Sequence, residues 1–232
     1  MKILALETTG NTASVAIVET GNIIAEFSIS AKKNHSLTLM PLVSHILEMT
    51  RLSLSEISYI AVSNGPGSFT GLRLAAATAK ALSHGAGLKI IPVPTLDALA
   101  YNVFVENTII APIMDARRGE VYASIYRCEN GELKRLAPHL AEEFDVFLNR
   151  VSEQGSRAVF LGDGCSVHSE AIQASGFDIA AVNNLHQRAS SVGLLALDIV
   201  SKDEGIVVDY NNLELLYLRK PQAEREYEER QE

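Results

Sequence analysis

Short continuous apolar runs alternate along this chain with longer stretches in which apolar residues recur at helical spacing. Ile3 to Glu7, Ser14 to Val18 and Ile23 to Ile29 predict three strands. Short turns join them, one around Thr9-Gly10-Asn11 and one at Gly21-Asn22, a hairpin signal. From Ser36 to Thr50 the positions of Leu39, Leu42, Val43, Ile46 and Leu47 predict a helix. Leu37, Met40 and Met49 extend its apolar surface around the cylinder, so it calls for two packing partners rather than one. Pro41 lies inside this stretch and removes a hydrogen bond unless the first turn begins close by. Tyr59 to Val62 predicts a strand, and Leu72 to His84 a helix with Leu72, Ala75, Ala76, Ala79 and Leu82 on one face. Alanine on that face admits close approach by another helix. Gly85 is expected to end it as the residue after the cap. A strand at Ile90 to Val93 and a helix at Thr95 to Asn102 follow.

The second half repeats the opening order. Ile109 to Met114, Glu120 to Tyr126 and Leu133 to Leu136 predict strands, with turns at Gly119 and Asn130-Gly131. A helix (Glu142 to Arg150), a strand (Ala158 to Leu161), a turn at Gly162-Asp163-Gly164, another helix and a last helix at Ser190 to Val200 complete the pattern. In both halves a buried strand ends in an acid, Glu7 or Asp115, and a short turn leads to two more strands. The expected architecture is α/β and two-lobed, with duplicated strand–turn–strand openings. It divides as 1–104, 105–221 and an acidic tail of 222–232, expected to be disordered or frayed. By fold analogy this order suits the actin-like ATPase (ribonuclease H-like) fold, in which two hairpins pinch nucleotide phosphates.

Composition narrows the partners. The chain has 232 residues and a net charge of −8, with five Glu and two Arg in 222–232, so −3 lies there and −5 in the body. Phosphate binding by nucleic-acid proteins runs on clustered Lys and Arg. Here Lys32-Lys33 and Arg117-Arg118 are isolated pairs. Any RNA contact is therefore expected to need a positive surface from elsewhere. No apolar run approaches the ~20 residues of a membrane span, and the N-terminal apolar stretch is too short for a signal peptide. Cys128 and Cys165 are too few for a disulfide framework. A cytoplasmic, reducing location with no membrane partner is the default.

The densest local signal is Asn64-Gly65-Pro66-Gly67-Ser68-Phe69-Thr70-Gly71-Leu72-Arg73. Such a turn, with Ser68 or Thr70 capping the following helix, is either a cradle of backbone amides for phosphate or a bend shaped for close packing. Other residues invite chemical readings. His35-Ser36 suggests a nucleophile pair, but neighbours in sequence rarely face each other, and a packing or capping role fits better. Cys165 and His168 stand at contact spacing on a helix, though a buried, inert thiol is the commoner case. Arg117 and Arg118 can meet an interlobe anion, a partner carboxylate or an RNA phosphate, or form a solvated turn paired to Glu120.

Several strings together resemble the TsaB-type (YeaZ-type) family of bacterial tRNA threonylcarbamoyladenosine biosynthesis. They are Leu4-Ala5-Leu6-Glu7-Thr8-Thr9, His35-Ser36 with Leu39 and Pro41, and Gly65 to Arg73. Asp115-Ala116-Arg117-Arg118-Gly119-Glu120-Val121-Tyr122, Gly162-Asp163-Gly164 and Tyr217-Leu218-Arg219 complete the set. The resemblance implies a non-catalytic scaffold and activator of a larger TsaD-type relative. That relative transfers threonylcarbamoyl to the adenosine beside the tRNA anticodon. A TsaE-type ATPase joins the assembly, and tRNA is met only through the complex. The family's first-lobe helices make the partner contact, and the same surface forms a homodimer when the subunit is alone. Leu39, Leu42, Val43 and Ile46, with Leu72, Arg73, Ala76 and Lys80, are the expected interface residues.

Against the catalytic relative, this chain departs where chemistry is done. The relative's HxxxH metal pair looks equivalent to Thr95-Leu96-Asp97-Ala98-Leu99, with no histidine at either end. Glu7-Thr8-Thr9-Gly10-Asn11-Thr12 keeps the strand-end acid but has Asn11 and Thr12 where further acids would stand. No long adenine-binding loop is visible. Glu7, Thr8, Thr9, Gly65, Gly67, Arg117 and Arg118 then remain as vestigial phosphate or anion contacts. No catalytic residue, metal or cofactor is expected on this chain, ATP and metal belonging to the partners. The glycine turn then reads mainly as a packing bend. The alternatives are an independent actin-like ATPase or phosphotransferase and a peptidase, the latter lacking any metal site or nucleophile.

Overall fold

The computed structural model describes residues 1–30 and 35–219. The Lys32-Lys33 pair and the 222–232 tail lie outside the described residues. The first sheet has the order β3-β2-β1-β4-β5, from β1 (Lys2–Glu7), β2 (Ala13–Glu19), β3 (Asn22–Ile29), β4 (Tyr59–Gly65) and β5 (Lys89–Pro94). β1 is antiparallel to β2 and parallel to β4, so it is a central strand covered on both faces. Its period-2 alternation sends Leu4 and Leu6 into one core and Ile3 and Ala5 into the other.

The second sheet repeats this plan with its second and third strands each broken in two. β6 (Ile109–Arg117) runs parallel to β11 (Ala158–Leu161), which pairs with β12 (Asp178–Ile179). On its other edge β6 pairs with β7 (Glu120–Ala123) and then with β8 (Tyr126–Glu129). The single strand expected over Glu120 to Tyr126 is thus two, interrupted at Ser124-Ile125. β9 (Glu132–Arg135) pairs with β8, and β10 (Leu140–Glu143), which the pattern did not reveal, pairs with β7. The duplication read from element order is therefore present in the hydrogen bonding.

Helices α1 (Leu39–Thr50) and α2 (Phe69–Ala86) cover one face of the first sheet. Pro41 occupies the third position of α1, where its missing N–H would have had no partner anyway. Gly85 lies within α2, and Gly87 at φ +68° makes the left-handed cap instead. α3 (Thr95–Ala100) leads out of the first sheet; α4 (Phe144–Gln154), α5 (Cys165–Ala174) and the short α6 (Val182–Leu185) belong to the second.

α7 (Ala189–Lys202) falls within the stretch 105–221 yet packs on the first sheet. Its Ala189, Val192, Ala196 and Val200 meet Ile3, Ala5, Ala16 and Val18. Gly193 makes that approach close enough that a Cβ would stand 2.6 Å from the Val18 side chain. α3 joins the lobes: Leu96, Leu99 and Ala100 are buried with Ile110, Met114 and Leu161 of the second sheet.

The remaining chain returns as a strap. Val208 bridges Ile90, Leu213 is buried beneath the first lobe, and the Leu216 N–H donates to the Asn64 carbonyl at 2.7 Å. Arg219 then crosses to the second lobe, pairing with Glu120 and donating to the Ala116 carbonyl at 3.2 Å.

The helix faces correct the expected interface. Leu39, Leu42, Val43, Ile46, Leu72 and Ala76 are buried in the core under the first sheet. Of the eight residues, only Arg73 and Lys80 reach solvent. The physical reason is that one apolar stripe on each helix is consumed by the sheet it covers. The outer surface of α1 is instead made by Met40 and Met49, with Leu37 on the preceding turn, and these are 44%, 63% and 75% exposed. On α2 it is made by Arg73, Ala77, Ala81 and His84.

Candidate functional site

A cleft of about 630 Å³ opens where the two hairpin turns face each other. Thr9, Gly10 and Asn11 come from the β1–β2 turn, and Asp115 to Arg117 from the end of β6. Ser68 to Thr70 from the start of α2, Asp163 from the turn after β11, and Tyr217 and Arg219 from the strap complete the walls.

Glu7 does not open into this cleft. It is buried, with Oε1 accepting from the Thr9 N–H and hydroxyl at 2.5 Å each and Oε2 accepting from the Ser63 hydroxyl. Burial pushes its carboxyl above the ordinary value of 4.5, against the pull of these three bonds. Its role is to hold the turn at the strand end.

The glycine turn is closed by packing. The Thr8 hydroxyl donates to the Gly71 carbonyl at 2.8 Å, and a Cβ on Gly71 would overlap the Thr8 carbonyl oxygen. Gly65, at φ +123°, lies against the Leu216 carbonyl, and a Cβ on Gly67 would stand 2.7 Å from the Thr9 Cβ. The Ser68 N–H donates to the Thr9 carbonyl at 2.8 Å, and Ser68 rather than Thr70 caps α2, accepting from the Gly71 N–H at 3.4 Å. Three chain segments meet through backbone here, which is why the residues are glycines.

The opposite hairpin carries the charge. Arg117, Arg118 and Gly119 form a run of left-handed residues at φ +69°, +58° and +79°. For two arginines this is a strained turn, costing on the order of 1–3 kcal/mol each. The Arg117 N–H donates to Asp115 Oδ1 at 2.8 Å, and its exposed guanidinium lies 3.5 Å from Asp115 Oδ2 at the cleft wall. Asp163, in the turn read from sequence as Gly162-Asp163-Gly164, comes beside Asp115, whose N–H donates to Asp163 Oδ1 at 3.3 Å. Burial, and then the neighbouring Asp115 charge, push the Asp163 carboxyl up.

The strap was missed as part of the site. Arg73 stacks over Phe69 at 3.8 Å and donates to the Tyr217 hydroxyl at 3.4 Å, so Tyr217 and Arg219 close one side of the cleft. Tyr217-Leu218-Arg219 was the available signal: an aromatic and a cation on a stretch without helical or strand periodicity.

Three chemical readings resolve into packing. The His35 ring Nε2 lies 3.1 Å from the Gly10 carbonyl, tying the turn before α1 to the first hairpin. Cys165 is buried, and burial pushes its thiol up to about 12, while His168 stacks on Phe144 with ring centroids 3.9 Å apart. Thr95 and Leu99, at the ends of the segment where the sequence was compared with a histidine pair, are buried, and Leu99 packs between lobes. Among the described residues no group of three His, Cys, Asp or Glu has metal-holding geometry, and no helix is long and apolar enough to cross a membrane.

Comparison with known proteins assigns the chain to a family. Residues 22–227 match the family described as TsaD: tRNA N6-adenosine threonylcarbamoyltransferase. The tRNA threonylcarbamoyladenosine biosynthesis protein TsaB of Bacillus subtilis is 34% identical over 218 residues, covering 92% of this chain and 95% of the relative. Its Escherichia coli counterpart is 30% identical over 222 residues, covering 94% and 95%. Among solved structures, YeaZ from Pseudomonas aeruginosa superposes with a TM-score of 0.74 at 23% identity, covering 94% of this chain and 99% of that one. The (R)-2-hydroxyglutaryl-CoA dehydratase component A of Acidaminococcus fermentans shares the fold at a TM-score of 0.50 and 9% identity, covering 87% and 99%.

Proposed function

From the premise that this chain belongs to the TsaB (YeaZ-type) family, we propose that it acts in tRNA threonylcarbamoyladenosine biosynthesis as a non-catalytic subunit. It docks through the outer faces of α1 and α2 on a TsaD-type catalytic partner and helps recruit a TsaE-type ATPase. The single observation that carries the reading is the closure of the first-lobe turn. Glu7 is bonded inward to Thr9 and Ser63, and the glycine turn is filled by Thr8, Thr9 and Leu216 backbone. In an actin-like enzyme these are the places from which reacting groups and phosphate contacts would be offered. Leu99, in the segment whose resemblance to a catalytic relative would call for a histidine, is buried in the joint between the lobes, which fits the same division of labour. ATP, metal and tRNA contacts then belong to the assembly.

The docking surface follows from exposure. Leu37, Met40 and Met49 place large apolar groups in solvent, and Ala77 and Ala81, four apart on α2, leave room for a helix to approach closely. The same surface serves a homodimer when the partner is absent. A stable contact of this kind needs more than ~1,000 Å² of buried area. The test is Ala77→Glu with Ala81→Glu on the outside of α2, which leaves the core intact. The double variant should keep its circular dichroism and lose co-elution with the catalytic partner. Unchanged co-elution would place the interface elsewhere. Turnover of ATP by the isolated chain, without either partner, would instead favour the independent phosphotransferase.

A further inference from the structure

We propose that the cavity between α3, α7 and the β8–β9 hairpin is a binding site for an organic cation, a guanidinium or ammonium on an aliphatic or aromatic stem. This is the chemistry of an arginine or lysine side chain. The cavity measures about 460 Å³, within the range of small-ligand sites, and shares no lining residue with the cleft between the hairpin turns.

At its inner end is Asp97. One of its oxygens, Oδ1, takes three donors: the Tyr126 hydroxyl, His139 Nε2 at 2.9 Å and Arg135 Nη1 at 3.4 Å. Oδ2 makes none of these bonds, and the side chain is 23% exposed in a residue that lines the cavity. Burial raises the Asp97 carboxyl, but His139 and Tyr126 outweigh it and hold the group below its ordinary value. A fixed carboxylate with one oxygen saturated and the other not is a directional acceptor.

The walls suit the rest of such a ligand. Tyr101 and Phe104 meet edge to face with centroids 4.9 Å apart, and Phe104 is 46% exposed. Leu133, Leu195 and Ile199 supply aliphatic surface for a stem. An aromatic face beside an acid is the arrangement that attracts a cation. The charged lining comprises Asp97, Glu132 and Asp198 against Arg135 and Lys202, one negative charge in excess. Each base is paired with one of these acids, Arg135 with Asp97 and Lys202 with Asp198 at 3.0 Å, so the excess charge is that of Glu132 and the acceptor left over is Asp97 Oδ2. An anionic ligand would meet Glu132 and the Asp97 Oδ2 oxygen, with both bases already engaged. A purely apolar one would cover Asp97 without satisfying it.

The test titrates the full chain, followed by calorimetry, with butylguanidinium and its neutral isostere N-butylurea. A third arm uses the peptide N-acetyl-Gly-Arg-Gly-amide, which separates a free small cation from a side chain presented by a partner. Butylguanidinium or the peptide should bind saturably with a Kd near or below ~1 mM. The urea should bind at least tenfold more weakly. Asp97→Asn should abolish binding. Because Asp97 also anchors Tyr126 and His139, the deciding variants are Phe104→Ala and Asp198→Asn, which remove exposed groups and should each weaken binding about threefold or more. No saturable binding by either cation would overturn the proposal. So would equal binding of the urea, or affinities unchanged in both Phe104→Ala and Asp198→Asn.

Discussion

Glu7 separates a structural reading of the first turn from a chemical one. Replacing it with Ala leaves the Thr9 N–H, the Thr9 hydroxyl and the Ser63 hydroxyl without their acceptor inside the fold. The two hydroxyls can rotate, whereas the amide is held by the turn. One stranded amide and the loss of two further bonds give a cost of about 2–4 kcal/mol. Glu7→Gln keeps an oxygen for Thr9 and can donate its amide N–H to the Ser63 hydroxyl oxygen, so its cost is within ~1 kcal/mol in acid. The pH dependence then has a definite sign. Because the folded carboxyl titrates above 4.5, the native state holds its proton to higher pH than the unfolded chain. Wild-type stability from this group is therefore full below 4.5 and is lost as pH rises through the folded value. Glu7→Gln lacks that loss and should gain on the wild type by about 1.4 kcal/mol for each pH unit the folded carboxyl is raised. Urea unfolding followed by circular dichroism across mildly acidic to neutral pH measures both variants. Parallel stability curves for wild type and Glu7→Gln would refute burial as the cause of the raised carboxyl. A folded Glu7→Gln that abolishes tRNA modification in the reconstituted complex would refute the structural role itself.

Two further outcomes follow from the packing. Gly71→Ala drives a Cβ into the Thr8 carbonyl and should cost about 3 kcal/mol or more, whereas Gly87→Ala meets no atom and should cost only about 1 kcal/mol for its left-handed backbone. Equal chemical-denaturation midpoints for the two would show that the turn has room to relax. Cys165 should resist a disulfide reagent at mildly alkaline pH in the folded protein and react on unfolding, since burial holds its thiol near 12; rapid labelling of the native chain would contradict that burial.

Much of this molecule was legible along the chain. The doubly covered strands announced themselves as continuous apolar runs, because a strand buried on both faces has no polar side to alternate with. Duplicated lobes could be read because the order of elements is a one-dimensional property. The strings from Gly65 to Arg73 and from Asp115 to Tyr122 carried the family; close backbone contacts restrict the residues of the first, and left-handed backbone at 117–119 those of the second.

Helical spacing identified the apolar stripes of α1 and α2, but it could not tell a stripe turned to a partner from one turned to the chain's own sheet. Leu39, Leu42, Val43, Ile46, Leu72 and Ala76 are core for that reason, and the outer surface belongs to Leu37, Met40, Met49, Ala77 and Ala81. Only the tertiary structure brought Asp163 beside Asp115, Arg219 across to Glu120, and Asp97 together with Tyr126, Arg135 and His139. It also carried α7 back to the first sheet and led the strap past Gly65. Periodicity records which side of an element avoids water. What that side meets depends on contacts between residues far apart in the chain, and these exist only once it has folded.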